Sequence, residues 1–276
     1  MAVSKFRKLV NSIVLINSRT HFGLKYSRSN NTVNNWGDAL NRYLIPKVSG
    51  KEIVYCTEYF NTGLNPTLCA IGSILDKNRI RNLYVWGTGL MSPDSIIPVL
   101  PKKIFAVRGR LTQKRLTSLN VRCPDVFGDP AIILPRFYQP PRTEKKYKLG
   151  VVPHYVDKTV ESINPLLSSS EVCVIDIESG IEEFVNKICE CEVIASSSLH
   201  GLIAADAYGI PRVWLKLSDK ISGGEFKFQD YFSTTDIKDI TPLTLESISD
   251  HNSILRRAVR PQRMADVDEL IRAFPF

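Results

Sequence analysis

Apolar residues along this chain come in short runs whose period changes from segment to segment. In MAVSKFRKLVNSIVLIN, residues Phe6, Leu9, Val10, Ile13 and Val14 fall at i, i+3, i+4, i+7 and i+8, one face of a helix. HFGLKYS reads as a strand. A polar loop, SNNTVNNWGD, leads into a helix predicted from Ala39 to about Ile45, where the following Pro46 should stop it. EIVYC, LCAIGSIL, LYVWGTG and KIFAVRG are brief apolar runs bounded by Gly, Pro or Asn, and each predicts a strand. LTQKRLTSL predicts a helix, and DVFGDPAIIL a strand with a glycine turn.

The second half is more regular. KLGVV, VCVIDI, EVIAS and VWLKL predict strands. Between them lie a helix from Asp157 to about Asn164, an amphipathic helix built on Ile181, Phe184, Val185 and Ile188, and a helix over LHGLIAADAY. Gly209 and Pro211 supply the stop signals for the last of these. Ile254 to Ala273 reads as helical with a break at Pro261.

Strands that alternate with helices and are apolar throughout predict parallel sheets covered on both faces. The fold class expected is therefore α/β, with two Rossmann-like domains facing each other across a cleft. QPPRTEKKYK is Pro-rich and charged and has no apolar period, which makes it the linker. The organisation expected is a basic amphipathic helix over 1–20, an α/β domain over 21–140, a second over 141–250, and a closing helical segment over 251–276 that returns toward the first domain.

Charge narrows the partners. The chain has 276 residues and a formal net charge of +8. Such a surplus suits an anionic partner. No basic stripe interleaved with aromatics occurs, so nucleic acid is not an expected partner. No apolar run reaches the roughly 18–20 residues that span a bilayer. The six cysteines form no Cys-x-x-Cys pair and read as free thiols in a reducing cytoplasm. The first helix, with Lys5, Arg7 and Lys8 beside its apolar face, has two readings: it packs on the body, or it touches anionic lipid.

Ligands of such sheets bind beyond the carboxyl ends of the strands, so the residues just after each strand carry the candidate chemistry. In SSSLHG, Ser198 is placed to cap a helix whose first-turn N–H groups, including those near Ser197, form an anion site. Gly201 would let a ligand approach the backbone, and His200 would face it. The helix dipole should lower the His200 pKa, and a bound phosphate dianion should raise it. In FAVRGRLT, Arg108 and Arg110 alternate along an extended segment and would clamp a phosphate or carboxylate from one side. In NNWGD, Asp38 is placed as a helix N-cap and Gly37 as a close-approach residue. His154 and Tyr155 follow a strand and offer proton transfer or hydroxyl binding; Asp129, before Pro130, is a turn residue or a substrate contact. WGTGLMS has Ser92 where a dinucleotide fingerprint needs its third glycine, and no histidine spacing suggests a metal site.

In order, Asn35-Trp36-Gly37-Asp38, Ala106-Val107-Arg108-Gly109 with Thr112, Gly128-Asp129-Pro130-Ala131, Pro153-His154-Tyr155 and Ser197-Ser198-Leu199-His200-Gly201, followed by Ala205 to Pro211, resemble the polysaccharide pyruvyl transferase family. Lys227-Phe228-Gln229-Asp230-Tyr231-Phe232 resembles a late motif of its exopolysaccharide branch, so the resemblance spans about residues 22–235. It implies a GT-B-like fold and transfer of pyruvate from phosphoenolpyruvate to two hydroxyls of one sugar, making a cyclic ketal. No metal and no cofactor beyond that donor substrate is implied. The acceptor implied is a polysaccharide or lipid-linked repeat unit, at the cytoplasmic face of a bacterial inner membrane. On this reading His200, Arg108 and Asp38 are catalytic, with His154 the other candidate acid. Asn35, Gly37, Arg110, His154, Tyr155, Ser197, Ser198, Gly201, Asp129 and Lys227 bind substrate. The alternative is a nucleotide-sugar glycosyltransferase on the same scaffold, using the same helix terminus for a diphosphate.

Overall fold

The computed structural model describes residues 4–27, 35–142, 144–158, 169–237, 240–248, 250–262 and 265–276. Two five-stranded sheets, each wholly parallel, make an α/β fold of Rossmann-like type. The first contains β1 (His21–Lys25), β2 (Glu52–Tyr55), β3 (Thr67–Cys69), β4 (Leu83–Trp86) and β5 (Lys103–Ala106), in the order β2-β1-β3-β4-β5. The second contains β6 (Tyr147–Val152), β7 (Val172–Val174), β8 (Cys191–Ser196), β9 (Arg212–Lys216) and β10 (Leu243–Thr244), in the order β10-β9-β8-β6-β7. The chain passes from one sheet to the other through the Pro-rich stretch, whose last two residues already belong to β6.

Eight α-helices are described: α1 (Lys5–Asn17), α2 (Trp36–Ser49), α3 (Arg110–Ser118), α4 (Ile181–Cys189), α5 (Leu199–Ala207), α6 (Phe226–Phe232), α7 (His251–Leu255) and α8 (Val267–Arg272). The helix predicted from Ala39 to Ile45 is longer at both ends. It starts at Trp36 under the Asn35 cap, and Pro46 lies inside it. It ends at Gly50, whose φ of 64° is the left-handed conformation that suits glycine. Asp38 is thus a first-turn residue, not the cap. DVFGDPAIIL is not a strand: Pro130–Arg136 forms a 3-10 turn, begun by the fixed φ of Pro130 and capped by Asp129, which accepts from the Ala131 N–H at 3.0 Å. Most of the predicted helix after Asp157 lies outside the described residues. The closing segment is not one helix broken at Pro261 but two short ones, α7 and α8.

The core is continuous across both sheets. One cluster joins Phe22, Leu24, Leu40 and Trp86 of the first half to Ile175, Phe184, Leu202, Trp214 and Phe228 of the second. Trp36 is a clear link: its backbone N–H donates to the Ile177 carbonyl at 2.8 Å, its indole N–H to the Ile181 carbonyl at 3.2 Å, and its ring packs 5.0 Å from Phe184. The C-terminal residues also reach the first sheet. The Trp86 indole N–H donates to the Leu270 carbonyl at 2.7 Å, and Phe276 stacks on Phe22 at 4.5 Å.

Candidate active site

Two helix N-termini meet at the carboxyl ends of the sheets. α2 follows β1, and α5 follows β8. Between them is a cavity of about 170 Å³ lined by both halves: Asn35, Asp38 and Ser73 from one, His154, Tyr155, Ser198, His200 and Lys227 from the other. Each terminus carries the positive end of a helix dipole. Lys227 adds a cation, its ammonium donating to the Ser222 carbonyl at 3.2 Å.

Burial is the largest cause of the shifted pKa values of Asp38, Lys227, His200 and His154. Asp38 is pushed up to about 7 by desolvation, against the opposing pull of the Ser27 hydroxyl and Lys227. Lys227 is pushed down to about 8, first by burial and then by Arg108. His200 falls to about 3 through burial, Arg108, Lys227 and His154; His154 falls to about 4 through burial and Lys227. At neutral pH both imidazoles are neutral and Lys227 is charged. The site therefore offers an anion one ammonium and two helix ends. An anion placed there would raise both histidines again.

His200 and Asp129 form a pair left open. Their Nε2 and Oδ2 atoms are 3.8 Å apart, and among the described residues neither buried atom has a hydrogen-bond partner. With His200 neutral this approach is not an ion pair. Burial holds Asp129 up at about 6, offsetting the Ala131 amide and the Arg108 charge.

Asn35, Asp38, His154, Tyr155, Ser198, His200 and Lys227 come together around the cavity. The other sequence candidates lie elsewhere. Arg108 is fully buried behind the wall. It donates to Asp230 at 2.9 Å, to the Leu90 carbonyl at 2.8 Å and to the Ser73 hydroxyl. Asp230 also accepts from the Thr112 N–H at 2.8 Å and hydroxyl at 2.7 Å. Arg110 does not share its side, because α3 begins at Arg110 and ends the strand alternation; its guanidinium lies over Phe127, 4.7 Å from the ring centroid. Ser197 donates to Asp157 at 2.7 Å. Ser198 occupies the N-cap position of α5, but its side chain makes no capping bond.

Two glycines have packing reasons in place of the expected ligand approach. A Cβ on Gly37 would stand 2.1 Å from His200 Nδ1, so this glycine seats the imidazole against α2. A Cβ on Gly201 would meet Ser196 Oγ at 2.3 Å and Val152 at 3.0 Å. The Gly-x-Gly of WGTG is likewise internal: Gly87 lies under Pro130, and Gly89 makes room for the Arg108 guanidinium.

Sequence reading missed Ser27, Ser73, Met91 and Ser222 in the lining, and Asp157 and Asp230 behind it. Ser27 and Ser73 follow the carboxyl ends of β1 and β3, so the after-the-strand rule pointed at them. Asp230 lies in the motif at 227–232, from which only Lys227 is singled out; Ser222 has no local signal, and contacts across the fold place it. Among the described residues no cluster of three or more His, Cys, Asp or Glu is disposed to hold a metal ion, and no helix is long and apolar enough to cross a membrane.

Known proteins match this framework. An uncharacterized protein, L143, of Acanthamoeba polyphaga mimivirus is 32% identical over 214 residues, covering 74% of this chain and 72% of that protein. The succinoglycan biosynthesis protein ExoV of Rhizobium meliloti (strain 1021) is 29% identical over 133 residues, covering 48% of this chain and 40% of its own length. The family model for polysaccharide pyruvyl transferases matches residues 12–219, which takes in both helix N-termini, His154 and the His200–Asp129 pair but stops short of Lys227. By that match, the chain belongs to the polysaccharide pyruvyl transferase family.

Proposed function

We propose that this chain transfers pyruvate from phosphoenolpyruvate to a sugar of a polysaccharide or lipid-linked repeat unit, closing a cyclic ketal. The observation that carries the reading is the meeting of two helix N-termini, Lys227 and two neutral histidines around one small cavity. A volume of about 170 Å³ suits a donor of about ten non-hydrogen atoms; a nucleotide sugar needs a pocket nearer the several hundred Å³ of ordinary ligand sites. A GT-B-like arrangement, with the two sheets facing across a cleft that admits the acceptor, belongs to the same reading. So does a cytoplasmic location at the inner face of a bacterial membrane.

In the chemistry proposed, Lys227 and the first turns of α2 and α5 hold the phosphate and carboxylate. The donor's charge raises the His200 pKa, and the imidazole takes up a proton. The Asp129 carboxylate, 3.8 Å from Nε2, then stabilises the imidazolium. His200 protonates the methylene carbon, so that carbon becomes a methyl group and positive charge develops at the central carbon. One sugar hydroxyl adds there, phosphate leaves with the C–O bond electrons, and the second hydroxyl closes the ketal. Of the two hydroxyl protons, one replaces the proton delivered by His200 and the other leaves on phosphate. Asp38, near 7, is matched to accept them, and His154 is the second candidate. Arg108 acts from behind the wall, through its field on His200 and Lys227.

Phosphate release from phosphoenolpyruvate in the presence of acceptor tests the reaction. His200→Asn should lower turnover about 10²–10⁴-fold; near-normal turnover would remove His200 from this role. Phosphoenolpyruvate should raise the melting temperature, whereas nucleotide sugars should not. The reverse pattern would favour the glycosyltransferase.

A further inference from the structure

α1 is turned the opposite way from an ordinary surface helix. Its inner side is partly polar. Asn11 donates to the Glu58 carbonyl at 2.7 Å, and the Ser12 hydroxyl accepts from the Phe60 N–H at 2.9 Å, with Leu15 buried beside them. Its outer side is apolar: Phe6, Leu9, Val10, Ile13, Val14 and Ile16 are all exposed, Phe6 to 77%. Over residues 5–16, at 100° per residue, these six side chains fill a sector of about 160°, with Lys5 at one edge and Arg7 at the other, each about 20° outside it. The helix holds no acidic residue.

A continuous exposed apolar face of this kind marks an interaction surface. Basic edges choose its partner. A helix lying in a bilayer interface buries its apolar face below the headgroups and holds its cations level with the lipid phosphates. The protein's net charge of +8 adds attraction toward an anionic leaflet. We propose that the outer face of α1 docks this protein on an anionic phospholipid bilayer, without crossing it. The inference rests on α1 alone and needs neither donor nor acceptor, so it stands or falls separately from the pyruvyl-transfer reading.

Co-sedimentation of the full chain with vesicles tests it. Binding to phosphatidylcholine vesicles containing about 30 mol % phosphatidylglycerol should exceed binding to phosphatidylcholine alone by roughly tenfold or more, since each basic side chain near such a surface is worth about a fivefold change. Leu9→Glu/Ile13→Glu should lose roughly tenfold in binding and melt as the wild type does, both positions being exposed. Lys5→Glu/Arg7→Glu should lose the preference for the anionic lipid. No binding, equal binding to both vesicles, or a wild-type dimer that the double glutamate variant converts to monomer would overturn the proposal, the last by assigning the face to a second copy of the chain.

Discussion

Arg108 and His200 are both buried where the two halves of the molecule pack together, and their surroundings differ in kind. Around Arg108 the polar groups are matched: three acceptors take its N–H groups, and Asp230 takes two further bonds from Thr112. Around His200 they are not, for Nε2 and Asp129 Oδ2 face each other at 3.8 Å without bonding. A completed network rigidifies a fold, while an uncompleted one keeps free the groups that a reaction can use. The contrast separates what holds the halves together from what can act on a substrate.

The largest effect should come from breaking the completed cluster. Arg108→Ala leaves the Asp230 charge buried without its cation and should cost about 3–5 kcal/mol of stability, read by calorimetry. Adding Asp230→Asn should recover part of that loss, as expected for coupled neighbours. An Arg108→Ala protein of wild-type stability would break the comparison. Next comes Gly37→Ala, whose Cβ would overlap the imidazole. It should cost about 1–3 kcal/mol in urea unfolding, as overpacking does, and lower turnover by displacing His200. If turnover is unchanged, the seat against α2 does not matter for the chemistry.

Acidification gives a smaller effect with a definite sign. The folded His200 pKa, about 3, is below its ordinary 6.5, so between those values the unfolded chain binds the extra proton. Stability is then lost as pH falls through 6.5 toward 3. Asp38 and Asp129 work the other way, because their raised values favour the folded state as pH drops below about 7 and 6. His200→Asn removes only the first contribution and should therefore lose about 2 kcal/mol less than wild type between pH 7.5 and pH 5. Equal losses would mean that the fold does not lower the His200 pKa. Smallest of all, Arg110→Ala should change stability by no more than about 0.5 kcal/mol and leave donor KM unchanged, since the side chain lies on Phe127 outside the cavity.

Local sequence rules reached the strands and the helix mouths because those depend on neighbours along the chain. Apolar period identified β1, β4, β6 and β8, and the cap-and-stop signals identified α5. Motif position brought Asp38, His154 and His200 to one cavity. The failures share another cause. Arg108 looked like an anion clamp because its partner, Asp230, is 122 residues away and no spacing rule joins them. Gly37 and Gly201 looked open to a ligand because the side chains that fill their space, His200 and Ser196, arrive from other elements. The apolar stripe of α1 was visible, but which side of the helix would face the body was set by Asn11 and Ser12 bonding to the 58–60 segment.

The seat of His200 on Gly37 also makes the imidazole a gauge of closure. Gly37 and Asp129 belong to the first half, and His200 belongs to the second. If the halves part, the ring returns to water and loses both neighbours at once, and its pKa moves back toward 6.5. One titration curve would then report how much of a sample is assembled, with the closed and parted forms separated by several pH units. The same coincidence requirement means that a half-folded chain presents a histidine of ordinary chemistry, so whatever the closed site does to a substrate is withheld until both sheets are in place.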